Sequence, residues 1–264
     1  MTMRFRVLGP LEISSGDTTI RIPAAKQRIV LAALLCQPNR TVSVSALTDA
    51  VWSDQPPARS RVVLQGYIMR IRKALATFGE PQDRIETVAP GYRMTVAENE
   101  LDTATFDAAL LDADLALGRG DIAAHADHLQ DALALWRGPA LMDIESDTLQ
   151  STEAHRLAEL RIMAVEKLID AYLTLGRHSA AAVELRQHIA RNPLHERFYG
   201  QLMIALDRTG RRAAALEVYR QVNELLATEL GIEPDQEIRR LGDAILRGRA
   251  ISSMTRLSLG ARRQ

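Results

Sequence analysis

The 264-residue sequence predicts a mainly α-helical protein with a small β component: a mixed α/β amino-terminal module followed by an all-helical repeat domain. Three observations predict this class. Short segments of alternating apolar residues, typical of strands, fall within the first hundred residues. Three helical patterns lie between the first of these segments and the last. Beyond residue 100, helical segments repeat at an offset of 34 residues, which is the period of tetratricopeptide helix pairs.

The chain opens with short antiparallel strands. In "RFRVLGPLEIS" the apolar residues alternate with polar ones, and Ile20 and Ile22 repeat the pattern after "SGD". An almost wholly apolar stretch from Ala24 to Gln37 then predicts a core helix, which Pro38 ends. A shorter helix is predicted from Ser45 to Trp52, and the two prolines of "SDQPPA" interrupt it.

A third helix is predicted in "RSRVVLQGYIMRIRKAL", residues 59 to 75. At 100° per residue one side of it is a narrow apolar stripe that should be buried, formed by Leu64, Ile68, Ile71 and Leu75. The opposite side mixes cations with small and apolar residues. After it, "IETVAPGYRMTV" predicts a hairpin with Pro90 and Gly91 at the middle positions of a tight turn.

The helical repeat follows from two aligned segments, "LIDAYLTLGRHSAAAVEL" (168 to 185) and "LMIALDRTGRRAAALEVY" (202 to 219), with Gly176 over Gly210 at the turn. A looser copy is predicted around "LALGRGDIAAHADHLQDALALW". One further helix, from Gln236 to Leu246, should cap the array. The basic, Ser-rich tail after it is expected to be disordered.

Charge is distributed unevenly along a chain whose 33 basic and 33 acidic residues cancel. Residues 1–100 carry net +4, residues 101–238 net −10 and residues 239–264 net +6. Because an acidic body repels a polyanion, any contact with nucleic acid should be local to the basic parts. No apolar run is long enough for a membrane span, so a soluble, cytoplasmic protein is expected. The single cysteine, Cys36, lies in an apolar run and should be a buried structural thiol.

Enzymatic function is not indicated. The sequence lacks a phosphate-binding G-x-x-x-x-G-K-[ST] loop, a G-x-S-x-G motif, an H-E-x-x-H motif and a C-x-x-C pair. His125 and His128 are three residues apart on a predicted helix, but a third ligand at typical spacing is missing. We therefore predict no catalytic residues, no metal and no cofactor.

The outward side of the third helix indicates a DNA-reading surface. Cations there could meet phosphates, and Arg70 could reach a guanine edge. Solvent gives no reason for three outward apolar residues, Val62, Val63 and Met69, whereas thymine methyl groups or a protein partner would. An ordinary solvated helix face is the alternative that the helix alone leaves open.

Several segments together resemble a known family. "KQRIVLAALL", "LTDAVWSDQPPARSRVVLQGYIMRIRKAL" and "ETVAPGYRMTV" resemble the winged helix-turn-helix domain of response regulators, in the version found in the actinomycete antibiotic regulatory proteins. "LWRGPAL", "EAHRLAELRIMAVE" and "LATELGIEP" resemble the bacterial transcriptional activation domain that accompanies it there. The resemblance implies a winged-helix DNA-binding domain over 1–98, a tetratricopeptide-like activation domain over 99–247 and a basic tail over 248–264. It also implies a short-form member, without room for a receiver, nucleotide-binding or phosphopeptide-binding domain.

The resemblance further implies which residues bind DNA. The third helix would be the recognition helix in the major groove, and the hairpin would be the wing beside the minor groove. Response regulators commonly place an arginine just before the wing glycines, where this sequence has Val88-Ala89-Pro90, so only Arg93 or Arg84 is available for the wing. The predicted DNA-binding residues are Arg59, Arg61, Val62, Val63, Gln65, Gly66, Tyr67, Met69, Arg70, Arg72, Lys73 and Arg93.

A second implied site is a loop that such activators offer to RNA polymerase. It comprises Trp52, Ser53, Asp54, Gln55, Pro56 and Pro57, and a merely proline-stiffened connection is the alternative. The resulting hypothesis is a sequence-specific activator of an antibiotic or other secondary-metabolite gene cluster. It would bind direct repeats in double-stranded promoter DNA as a homodimer or tandem pair, recruit RNA polymerase holoenzyme at the nucleoid and have no membrane partner. The alternatives are a protein-interaction adaptor with a non-reading winged helix, or an effector-gated sensor.

Overall fold

The structure, a computed structural model, describes residues 3–77, 84–97 and 99–249. The chain divides into two compact units. Unit one contains Met1–Asp112 with Gln130–Met163, and unit two contains Ala113–Leu129 with Ala164–Gln264. Most of the tail expected to be disordered, from residue 250 onward, lies outside the described residues.

Unit one opens with a three-stranded antiparallel sheet of β1 (Met3–Arg6), β2 (Glu12–Ser15) and β3 (Thr18–Ile20), in that order. Phe5 lies opposite Ile13, and Ile13 opposite Ile20. All three side chains are buried, because alternate residues of a strand share one face. The predicted strands are confirmed, although Ile22 follows the end of β3.

Three helices then form the core of the module: α1 (Ala25–Leu35), α2 (Val44–Trp52) and α3 (Ser60–Ala76). Between α1 and α2 lies a short strand, β4 (Thr41–Ser43), which the sequence did not predict. The Ser43 hydroxyl accepts a hydrogen bond from the Ala46 N–H and so caps α2. Cys36, which follows the end of α1, is half-buried, whereas the sequence predicted a buried thiol. Desolvation raises the pKa of this thiol to about 12.

The predicted hairpin is present as β5 (Ile85–Val88) and β6 (Gly91–Met94), but its turn differs from the prediction by one residue. Val88 pairs with Gly91, so the middle positions of the turn are Ala89 and Pro90, joined by a cis peptide bond. The sheet order is β4-β6-β5. Gly91 belongs to β6, where a Cβ atom would come within 1.8 Å of the Val42 carbonyl oxygen. Glycine is needed there because β4 runs too close for any side chain.

The rest of unit one holds the start of the chain in place. Helix α4 (Asp102–Gly118) begins at Asp102, whose buried carboxylate accepts 2.9 Å hydrogen bonds from the N–H groups of Val7 and Leu8. Burial raises the pKa of this carboxyl, and the two backbone bonds oppose that shift. Trp136 packs edge-on against Phe106 and is buried, so it is a packing residue.

Helix α5 (Ile122–Ala134) precedes that tryptophan. A short helix, α6 (Asp147–Leu149), continues through π-helical Gln150–Ala154 into α7 (His155–Thr174).

Unit two contains the helical repeat. Its remaining helices are α8 (His178–Arg191), α9 (Glu196–Arg208), α10 (Arg212–Glu229) and α11 (Gln236–Leu246), the last with the predicted bounds. Gly120, Gly176 and Gly210 each turn the chain between two helices with φ between 73° and 77°. In each turn the following residue donates its N–H to a carbonyl five residues earlier. The identical turn at Gly120 confirms the looser copy of the repeat.

His125 is a core histidine in this unit, with Nδ1 lying 2.7 Å from the Ala113 carbonyl oxygen. Within residues 3–77, 84–97 and 99–249, no cluster of metal-ligating side chains is present. The same residues include no helix that is both long and apolar enough to cross a bilayer.

Candidate nucleic-acid interface

Helix α3 is fixed in the module by the predicted apolar stripe. Its four residues, Leu64, Ile68, Ile71 and Leu75, are all buried, and they face α1 and α2. Burial of four large aliphatic side chains stabilises this packing by about 6 to 12 kcal/mol before conformational entropy is counted. The stripe therefore determines which side of α3 faces outward.

The outward side of α3 is open and cationic. Val62 and Met69 are 63% and 64% exposed, and a Cβ atom added at Gly66 would meet nothing within 4 Å. The helix and its preceding residue Arg59 contain no acidic residue. The predicted DNA-facing residues that are exposed are Arg59, Arg61, Val62, Gln65, Met69, Arg70 and Lys73. Val63 and Gly66, which were also predicted to face outward, are half-buried. An exposed surface that combines cations with apolar side chains suits a polyanion that carries an apolar group between its charges.

Two predicted DNA-facing residues of α3 also have partners within the protein. Tyr67 is half-buried and stacks on Trp52, with ring centroids 6.1 Å apart. Arg72 donates from Nε to the Ile85 carbonyl oxygen at 2.7 Å and from Nη2 to the Thr87 hydroxyl at 3.0 Å. Arg72 therefore links the C-terminal half of α3 to β5, which a helical-wheel argument could not show.

The wing presents little cationic surface. Arg93 pairs with Glu86 on the neighbouring strand at 2.6 Å, and Arg84 pairs with Glu100. The turn from Thr87 to Pro90 carries no Lys or Arg. Of the two wing arginines that the sequence offers, Arg93 is the more exposed, and its pairing with Glu86 lies near the surface, where such pairs are weak.

The start of α3 is positioned by the loop after α2. Ser53 adopts φ of 49°, which turns the chain away from α2, and the Ser60 N–H donates to the Pro57 carbonyl at 2.9 Å. Hydroxyls from the α6 region hold the end of α2: Ser146 donates to the Ala50 carbonyl at 2.6 Å and Thr148 to the Asp49 carbonyl at 3.2 Å.

This loop is the predicted polymerase contact. Ser53, Asp54, Gln55, Pro56 and Pro57 are all exposed. Trp52 is half-buried, and the Lys26 ammonium lies 5.2 Å from its ring centroid. Beside the loop an open groove of about 570 Å³ also reaches Glu145 and Asp147. Sequence reasoning did not find Lys26, because only the fold brings α1 next to Trp52.

Comparison with known proteins identifies both parts of the chain. Residues 101–246 match the bacterial transcriptional activator domain, and residues 20–94 match the carboxy-terminal domain of transcriptional regulatory proteins. The regulatory protein DnrI of Streptomyces peucetius is 35% identical over 251 residues, which cover 93% of this chain and 92% of DnrI. AfsR of Streptomyces coelicolor is 36% identical over 245 residues, but these make up only 24% of AfsR.

A solved structure shares the fold. That structure, Mycobacterium tuberculosis EmbR in complex with a low-affinity phosphopeptide, superposes with a TM-score of 0.88 at 33% identity. The match covers 94% of this chain and 65% of the EmbR chain. With a winged helix followed by an all-helical activator domain, both in the order of these relatives, the chain belongs to the antibiotic regulatory protein family of transcriptional regulators.

Proposed function

We propose that this regulator activates a secondary-metabolite gene cluster by binding direct repeats in promoter DNA and recruiting RNA polymerase. The observation that carries the proposal is the outward side of α3, which is exposed, lacks acidic residues and nevertheless displays Val62 and Met69. We assign DNA binding to residues 1–98 and activation to residues 99–247; the interval between the two family matches, residues 95–100, supports this division. In this proposal the regulator works in the cytoplasm at the nucleoid, and binding promoter DNA and recruiting polymerase require no enzymatic step of its own.

In this proposal α3 lies in the major groove. Arg70 reads a base edge, while Lys73 and the arginines at the start of the helix neutralise phosphates. Two subunits in tandem on one face of the duplex require repeats spaced by about one helical turn, roughly 10 to 11 base pairs. DNA selection followed by sequencing of the bound pool should recover such direct repeats. Inverted repeats, or retention without sequence preference, would contradict the proposal.

Two substitutions test how α3 docks. Arg70→Ala should cost about 1 to 3 kcal/mol of binding free energy and relax the preference at one base position. Lys73→Ala should weaken binding to all sequences alike and reduce the salt dependence by about one counterion. The matched control is Arg186→Ala, which removes the same charge from an exposed position of α8 in unit two and should leave binding unchanged. Equal affinities for the wild type, Arg70→Ala and Lys73→Ala would refute this docking.

Polymerase recruitment is assigned to the loop Trp52–Pro57. Its support is the exposure of Asp54 and Gln55 together with the hydroxyl contacts that fix the end of α2 beneath them. The double variant Asp54→Ala/Gln55→Ala should keep DNA affinity and lose promoter activation in a reconstituted transcription assay. Full activation by this variant would leave the loop as a connection only.

A further inference from the structure

Gly66 occupies the middle of α3 without any reason inside the protein. A glycine in a helix interior disfavours the folded state by about two- to fivefold relative to alanine. At two other glycines inside helices a neighbour explains the choice: a Cβ atom would come within 2.9 Å of the Ile238 side chain at Gly200 and within 3.0 Å of the Tyr219 ring at Gly242. At Gly66 nothing lies within 4 Å of the same atom. Whatever requires this glycine must therefore approach from outside.

The surroundings of Gly66 indicate what approaches. Val62 lies one turn before it and Met69 one turn after it, and both are about two-thirds exposed. These three residues form a shallow apolar notch, named here the α3 notch, on the outward side of the helix. Exposed cations border it, with Arg59 and Lys73 towards its two ends and Arg70 beside Gly66. The notch thus offers contact to a small apolar group that is carried by a polyanion.

In double-stranded DNA such a group is the 5-methyl of thymine, which projects into the major groove from a base edge framed by phosphates. We infer that the α3 notch holds a thymine methyl group and makes Val62, Gly66 and Met69 determinants of sequence specificity. This inference rests on the proposed docking of α3 in the major groove. The missing Cβ at Gly66 lets the base edge approach the helix backbone, and the flanking side chains cover the methyl group.

The first test replaces thymine by deoxyuridine at each position of the selected binding site, with the wild-type protein. This change removes the methyl group and keeps the O4 acceptor. At one or two positions in each repeat the affinity should fall by about fourfold, which is the effect expected when the burial of one methyl group is lost. The loss should disappear in Val62→Ala or Met69→Ala, because the partner of the methyl group is then absent.

The second test is Gly66→Ala, read in two assays. Its unfolding midpoint should rise, since alanine favours the helix and meets no neighbour, while its affinity for the selected site should fall by about tenfold or more. Gly118→Ala is the matched control, because a Cβ atom at the end of α4 also meets nothing within 4 Å. That variant should bind DNA like the wild type.

The outcomes separate the inference from the proposed function. If the wild type shows no preference for any duplex, both are overturned. If it selects a site, but neither deoxyuridine at any position nor Gly66→Ala weakens binding, the regulator binds DNA and the thymine contact is refuted.

Discussion

Removal of the Arg72 side chain should loosen the wing without altering the exposed side of α3. The bond to the Ile85 carbonyl is charge-assisted and partly buried, and bonds of that kind contribute about 1.5 to 3 kcal/mol. The bond to the Thr87 hydroxyl is exposed and adds about 0.5 kcal/mol. In Arg72→Ala the free energy needed to open the hairpin should therefore fall by about 2 kcal/mol, provided that opening breaks both bonds.

Hydrogen exchange measures this opening in the free protein, without DNA. If the free energy of hairpin opening falls by about 2 kcal/mol, the exchange rates of the β5 and β6 amides should rise by roughly 30-fold where local opening controls exchange. Arg72→Lys keeps the charge but not the planar fork of donors, so it should lie between the wild type and Arg72→Ala. Arg70→Ala, from the exposed side of α3, is the control and should leave the hairpin amides unchanged. Unaltered exchange in Arg72→Ala would refute a positioning role for Arg72 and leave it as a candidate phosphate contact.

Two further predictions concern the folded module. Gly91→Ala should lower the free energy of unfolding by more than about 3 kcal/mol, because its Cβ atom would lie 1.8 Å from the Val42 carbonyl oxygen and 2.7 Å from the Ser43 Cα atom; an unchanged melting temperature would contradict this. The pKa of the Cys36 thiol, about 12 in the fold against an ordinary 9.0, should slow alkylation at pH 8 by roughly a thousandfold until the protein unfolds. Because the Cys36 thiol holds its proton more tightly in the folded state, its contribution to the free energy of unfolding is fully present below pH 9. That contribution is lost as the pH rises towards 12. If Cys36 were alkylated as fast in the folded protein as in the unfolded protein, the raised pKa would be refuted.

The spacing of apolar residues predicted those features of the fold that depend only on which side of a single helix or strand is buried. The buried stripe of α3 and the bounds of α11 follow from apolar spacing, which the core enforces residue by residue. The turn glycines at 176 and 210 follow from a backbone requirement that any sequence must meet at that position. These features are local, so a single stretch of sequence contains the whole physical reason.

Features that depend on a distant neighbour were missed. Strand β4 has three residues, too few for an alternating pattern, and it exists because β6 supplies its hydrogen-bond partners about fifty residues later. The one-residue error in the hairpin turn has the same origin. Proline followed by glycine is a common turn dipeptide, but here the glycine is required by the Val42 carbonyl of another strand. In the candidate site, the bonds from Arg72 to β5 could not be predicted for the same reason.

Gly66 and Gly91 show what the structure adds to the reading of a residue type. In the structure both are single glycines within regular elements, α3 and β6, where glycine costs about 0.5 to 1 kcal/mol relative to alanine. At Gly91 the protein's own backbone occupies the space of a side chain, so the residue is explained by the fold. At Gly66 nothing in the protein occupies the space that a side chain would fill. The stability lost by placing glycine in the helix is therefore offset only if a ligand occupies that space. Alanine substitutions should therefore shift stability in opposite directions at the two sites, and only the site where stability rises is expected to lose DNA affinity through direct contact.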